Sequence, residues 1–209
     1  MKVLMVEHDT EPAHRMAEQL VAAGHSVHSC HDDSLDIDAG TCVALQGRPC
    51  PLSTTPMDLF LDVVAPTDDR FGIELLMREE GVLCSKRRRV PIVIAGTAEG
   101  HPFRRFATVE RSDLPSVADL EAVASAPLPD HSAVALTALR GALRAHGIEV
   151  GRAEAEVRRR EGGLLLHIDV GDLANPATAQ AIAIKVGQAV RQLDPWALSL
   201  DITLTKTAS

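Results

Sequence analysis

Aromatic residues are almost missing from this chain of 209 residues: one is Trp, four are Phe and none is Tyr. Proteins that hold single-stranded nucleic acid stack bases on aromatic side chains, so such base-stacking platforms are nearly excluded. Lysine is scarce and the formal net charge is -8, which leaves no basic footprint for duplex DNA or an anionic membrane surface. No apolar run approaches the roughly 20 residues that span a bilayer, so no membrane insertion is expected. The start lacks the charged and apolar regions of a secretory leader, which predicts a cytoplasmic protein. Cys30, Cys42, Cys50 and Cys84 show no CxxC spacing, a pattern of reduced thiols more than of a disulfide framework. No GxSxG, P-loop, GxGxxG or Ser-His-Asp order stands out, so nothing supports a hydrolase or a nucleotide-binding protein.

What is present suggests two domains. Hydrophobic residues make up 45% of the chain, ample for two cores. Residues 1–125 carry 12 Lys/Arg against 20 Asp/Glu, whereas residues 126–209 carry 9 against 9. In the first part, residues 3–6, 25–30, 59–64, 91–95 and 107–109 read as strands. Between them, a helix capped by Asp9 or Thr10 presents Ala13, Met16, Ala17 and Leu20 on one face and ends at Gly24. A second helix is expected over 73–83, with Ile73, Leu76 and Met77 inward, and a third around Val117, Leu120 and Val123. Segment 31–57 reads as Pro-broken loop around a short helix, its order left open. Such alternation predicts an α/β domain over 1–124, an open doubly wound parallel sheet with helices on both faces.

SAPLPDH (125–131) reads as a linker. Residues 132–209 predict a small α+β domain in the order αββαβ. A helix carries Leu136, Leu139 and Leu143, and two alternating strands meet at the Glu161-Gly162-Gly163 turn. The next helix is capped by Asn175 and Pro176, turns Ile182, Val186, Ala189 and Leu193 inward, and stops at Asp194-Pro195. The last strand places Leu198, Leu200, Ile202 and Leu204 on a dry face, while His167 and Asp169 face solvent.

Doubly wound sheets bind ligands at the carboxyl ends of their strands, where Glu7, His8, Asp9 and Asp62 fall. KVLMVEHD and LFLDVVAP, in this order, resemble the opening and the phosphoacceptor strand of response-regulator receiver domains over residues 1–124. The resemblance implies a flavodoxin-like fold in which Glu7 and His8 stand at the Mg²⁺-binding acids, Asp62 at the phosphoacceptor and Pro66 at the proline after it. It also implies a Ser/Thr after the fourth strand and a Lys after the fifth, because charge on a transferring phosphoryl group must be neutralised. The chain departs from this pattern. His8 replaces a carboxylate with a poor Mg²⁺ ligand, and Asp9 comes one residue late. Gly96 stands where the hydroxyl belongs, with Thr97 one position beyond. No lysine follows the fifth strand, where Arg111 is the nearest cation.

These departures predict a pseudo-receiver without conventional aspartyl phosphorylation. An alternative is a two-component phosphorelay regulator with Asp62 as phosphoacceptor, Mg²⁺ as cofactor and an output domain that does not bind DNA. A third reading is a metal-dependent sensor using His8 with His25, His28, Cys30 and His31, although a strand turns His28 and Cys30 to one face and the other two away. KRRRV (86–90) and RRR (158–160) read as solvated loop charge or docking patches. The C-terminal element order is similar to that of BON and alkaline-shock-protein domains. Together these features predict a non-enzymatic bacterial signalling or scaffold protein. Its partners would be other signalling proteins and further copies of itself, joined through a final strand, ending at Thr205, at a sheet edge.

Overall fold

The computed structural model describes residues 1–6, 11–30, 42–44, 47–64, 80–96, 101–151, 153–170 and 175–205. The expected roles of Glu7, His8, Asp9, Thr10, His31, Pro66, Ile73, Leu76, Met77 and Thr97 fall outside them. The chain divides into two compact units, Met1–Ala124 and Ser125–Ser209.

The first unit contains strands β1 (Lys2–Val6), β2 (Ser26–Ser29), β3 (Leu59–Val64), β4 (Ile92–Gly96) and β5 (Val109–Arg111), with helices α1 (Glu11–Ala22), α2 (Pro51–Thr54), α3 (Glu80–Arg87) and α4 (Val117–Ser125). The strands form one sheet in the order β2-β1-β3-β4-β5, with every neighbouring pair parallel, an order consistent with a flavodoxin-like fold. Near-continuous apolar strands such as KVLMV and IVIAG suit a sheet covered on both sides. Val3, Met5, Leu59, Leu61 and Val93 pack on Met16, Leu20 and Leu120 on one side. Leu4, Val6, Phe60, Ile92 and Ile94 pack with Cys30, Leu52 and Val82 on the other.

Local chemistry sets the helix ends. At Gly24 (φ +83°) the chain leaves α1 with Gly24 N donating to the Val21 carbonyl and His25 N to the Leu20 carbonyl, the two bonds of a Schellman ending. Ser116 and Asp119 cap α4 reciprocally: the Asp119 N–H donates to Ser116 Oγ, and the Ser116 N–H to the Asp119 carboxylate. The hydrogen bonds from Ser116 hold that carboxyl below its usual range.

Two expectations change here. Helix α3 runs through Arg87, four residues past the expected end, so Lys86 and Arg87 occupy its last turn, where positive charge suits the carboxyl end of a helix. The strand expected at 107–109 lies at Val109–Arg111 instead, because a 3₁₀ turn at Arg104–Phe106 and its closing bond from Ala107 N to the Arg104 carbonyl use up the preceding residues.

The second unit contains α5 (Pro129–Ala145), β6 (Glu154–Arg160), β7 (Gly163–Asp169), α6 (Pro176–Leu193) and β8 (Leu200–Thr205). Its sheet has the order β6-β7-β8, with β6-β7 antiparallel and β7-β8 parallel. Glu161 (φ +51°) and Gly162 (φ +78°) close the β6-β7 hairpin as a two-residue turn with both central residues left-handed. Asn175 Oδ1 accepts from Ala177 N at 2.9 Å, capping α6 ahead of Pro176. Little of 125–131 is a free linker: Pro127 bridges to Arg158, and α5 begins at Pro129. The inward face of α6 is Ile182, Ala183, Val186, Gly187 and Val190, rotated from the expected line through Ala189 and Leu193.

Two further corrections concern side chains. Along β6 the two-residue period that buries Val157 also buries Arg159, so RRR is not a uniformly solvated run. Arg159 Nη2 donates to Asp194 Oδ2 at 3.0 Å, and His131 Nε2 lies 3.3 Å from the same oxygen, all three residues being buried. Strand β8 is the less covered edge of the sheet: Ile202 and Leu204 are 37% and 39% exposed and Leu198 is 69% exposed, where a dry face was expected.

Candidate functional site

In a sheet of this order the chain runs outward in opposite directions from β1 and β3, and ligands in such folds bind beyond the carboxyl ends of these strands. Asp62 lies on β3, paired with Val6 of β1 and Ile94 of β4. Two strand residues, Val63 and Val64, still follow it. Alternation puts Asp62 on the side of Phe60, beneath the covering layer, and the residue has 0% exposure. The sequence places Asp62 at the carboxyl end of its strand; in the structure it is an interior carboxylate.

A buried carboxylate needs a donor, and one partner among the described residues is a histidine that the sequence does not single out. His101, whose side chain is 2% exposed, lies in the segment between β4 and β5 and places Nε2 3.0 Å from Asp62 Oδ2. Its other ring nitrogen, Nδ1, accepts from the backbone N–H of Phe103 at 3.2 Å. A backbone N–H can only donate, so Nδ1 carries no proton. The proton must sit on Nε2, and a neutral imidazole donates to the carboxylate. The segment is fixed further by Arg104 N donating to the His101 carbonyl, by the edge contact of His101 with Phe103 at 6.4 Å and by Phe103 stacked on Phe106 at 6.1 Å. The Arg105 guanidinium lies 4.8 Å from the centre of the Phe106 ring.

This arrangement limits the chemistry. A histidine oriented by aspartate acts as a base only if its second nitrogen meets the reacting group; here that nitrogen is taken by the chain's own backbone. The pair links β3 to the 101–106 segment. A hydroxyl at position 96 is also barred. Gly96 has φ +93°, and a Cβ there would stand 2.0 Å from the Val64 carbonyl oxygen. Gly96→Ser is expected to lower the unfolding free energy by about 2 kcal/mol or more, from backbone strain and overpacking, as read from urea unfolding.

Among the described residues, the candidates Arg111, His25 and Cys30 have other surroundings. Arg111 is within β5, half exposed, with Nη2 3.7 Å from Asp119 Oδ1. His25 lies at the start of β2, with Nδ1 3.1 Å from the Met1 amino group and Nε2 3.1 Å from Glu121 Oε1 on α4. Cys30, at the far end of that strand, is buried on the opposite side of the sheet with Phe60 and Met57. His25 and Cys30 thus lie on opposite sides of the sheet, as the two-residue period of a strand expects. Among the described residues no three His, Cys, Asp or Glu side chains come together as a metal site. In the second unit His167 Nε2 is 3.0 Å from Thr205 Oγ1, linking β7 to β8. Among the described residues no helix is long and apolar enough to cross a membrane.

The chain matches no protein-family model, and none of the curated proteins compared with it matches.

His101 could have been suspected from order alone. In a 2-1-3-4-5 sheet the segment after β4 emerges beside β3, so a lone histidine there is placed to meet an aspartate on β3.

Proposed function

We propose that this protein is a receiver-like signalling or scaffold protein that works through protein–protein contacts and not through conventional aspartyl phosphorylation. The observation that carries this reading is the state of Asp62: fully buried, mid-strand and hydrogen-bonded by a neutral histidine. Gly96 supports it, since no switch hydroxyl fits at that position. The sheet order and the motifs KVLMVEHD and LFLDVVAP support the receiver-like ancestry. Incubation with acetyl phosphate and Mg²⁺ is expected to leave the protein's mass unchanged.

The second unit supplies the contact surface in this reading, as an αββαβ module that joins two copies. Leu128 N donates to the Val157 carbonyl and so covers part of the outer edge of β6. The outer edge of β8 has no strand neighbour among the described residues, and Ile184, Trp196, Leu198, Ile202 and Leu204 are exposed on this unit. Antiparallel pairing of β8 with a second copy about a twofold axis at Ile202 would set Leu200 against Leu204 and Asp201 against Thr203. Apolar side chains then meet on one face and no like charges are opposed. Sedimentation is expected to show a dimer, and Leu204→Lys, which sets a charge against Leu200 of the second copy, is expected to give a monomer. A wild-type monomer at high micromolar concentration would remove this part of the reading.

A further inference from the structure

The cysteine spacing suits reduced thiols, and all four cysteines are free thiols in the structure. The fold nevertheless brings them to one place in the first unit. Val43 N donates to the Cys30 carbonyl at 2.9 Å, which lays the backbone at Cys42 alongside the end of β2. Cys50, immediately before α2, packs against the apolar cluster that contains Cys30. Arg88, just past the end of α3, donates from Nη2 to Ser53 Oγ on α2 at 3.1 Å. Cys84 lies four residues before Arg88, on the same helix face, and Ser53 lies three residues after Cys50. Accessibility is graded within the group: Cys30 is buried, Cys42 and Cys50 are half-buried and Cys84 is exposed.

Two chemistries suit clustered thiols, a soft metal ion or a disulfide. The described residues present no set of three that could hold a metal, whereas a disulfide needs only two. Disulfides span about 4.4–6.8 Å between Cα atoms, and the bond from Val43 N to the Cys30 carbonyl brings the backbone next to Cys42 against Cys30. Cys42 is adjacent to the residue whose N–H reaches Cys30, so it is the best-placed partner.

We propose that Cys30 and Cys42 form a redox-responsive dithiol that closes to an intramolecular disulfide when the protein meets a peroxide. The Cys42 thiolate, the more accessible of the two, attacks hydrogen peroxide; an S–O bond forms, the O–O bond breaks and hydroxide leaves, giving a sulfenic acid. The Cys30 sulfur then displaces the hydroxyl from the Cys42 sulfur. The S–S bond forms, the S–O bond breaks, and the Cys30 proton leaves with the hydroxyl as water. Overall two thiols and one peroxide give one disulfide and two waters. Burial, reinforced by the neighbouring Cys42, Cys50 and Cys84, pushes the Cys30 thiol upward and out of the range of reactive thiolates. Cys30 is therefore the resolving partner and not the site of first attack. A bond here would tie the end of β2, in the layer that also packs on Phe60 beside Asp62, to the segment that follows. Oxidation would thus act on the first unit independently of Asp62 phosphorylation.

The test is peptide mapping of the full chain after treatment with hydrogen peroxide and alkylation of the remaining thiols. The expected product is one disulfide per molecule joining the peptides of Cys30 and Cys42. It should be reversed by dithiothreitol and accompanied by a higher unfolding midpoint. In Cys42→Ser this disulfide should be absent while the reduced protein keeps the wild-type circular dichroism spectrum. Separate sulfinic or sulfonic acids without a disulfide, a disulfide that excludes Cys30, or bonds only between molecules would overturn the proposal. So would stoichiometric zinc that survives chelator-free purification and protects these thiols.

Discussion

Asp194→Ala is expected to cost the second unit about 3–5 kcal/mol of unfolding free energy, the usual scale for breaking a buried ion pair from one side. The Asp194 carboxylate is 1% exposed and receives Arg159 Nη2 and His131 Nε2 on Oδ2, and the Trp196 backbone N–H on Oδ1 at 3.3 Å. Removing it leaves a guanidinium inside the unit without this counter-charge and leaves the end of α6 without its link to β6 and α5. Asp194→Asn keeps the volume and one oxygen acceptor, so its loss should be smaller. Trp196, the only tryptophan of the chain, sits next to the broken contact, and its fluorescence in urea reads this transition.

The same group predicts a pH dependence. Burial opposes the ionised form of Asp194, but the hydrogen bond from His131 and the Arg159 charge outweigh it, holding the carboxyl below its usual range. With the folded value below an unfolded value of about 3.9, the unfolded state binds the proton more tightly. The stabilisation is therefore complete above the unfolded value and is lost as pH falls through the folded one. Wild type should lose stability below about pH 4 more steeply than Asp194→Asn, which lacks this titration. Parallel acid profiles for the two proteins would show the account to be wrong.

His101→Ala carries the second large effect, a loss of about 3 kcal/mol in the first unit, because it withdraws a donor from a fully buried carboxylate. His101→Gln can place an amide N–H close to the position of Nε2 and should recover part of the loss. Native-state hydrogen exchange is the suitable readout, as the first unit has no tryptophan; protection of the β3 and β4 amides should fall in the alanine variant and return partly with glutamine. Unchanged protection in His101→Ala would mean that the pair contributes nothing to holding β3.

Legibility from sequence followed the physics of each feature. β3 was read to the residue because LFLDVV is an apolar run flanked by Asp58 and the Ala65-Pro66 break, and α1 was read down to its terminating Gly24. The periods of 2 and 3.6 carried these elements. They did not carry α3 past residue 83, because charged residues in a last helical turn look like loop. β8 shows how a period can mislead: LDITLT alternates cleanly, but alternation reports which side chains share a face and says nothing about how well that face is covered. Asp62 was legible as a candidate, whereas its partner was not. The His101–Asp62 and Asp194–Arg159 contacts join residues 39 and 35 positions apart, and only the tertiary packing of strands and helices brings such pairs together.

Asp62 is fully buried, and we propose that it takes no part in phosphotransfer. The direct measurement is intact mass after incubation with acetyl phosphate and Mg²⁺, beside an active receiver as positive control and Asp62→Asn as negative control. No phosphoryl adduct is expected on a protein shown by circular dichroism to be folded. An adduct on the wild type that disappears in Asp62→Asn would contradict it and establish Asp62 as a working phosphoacceptor.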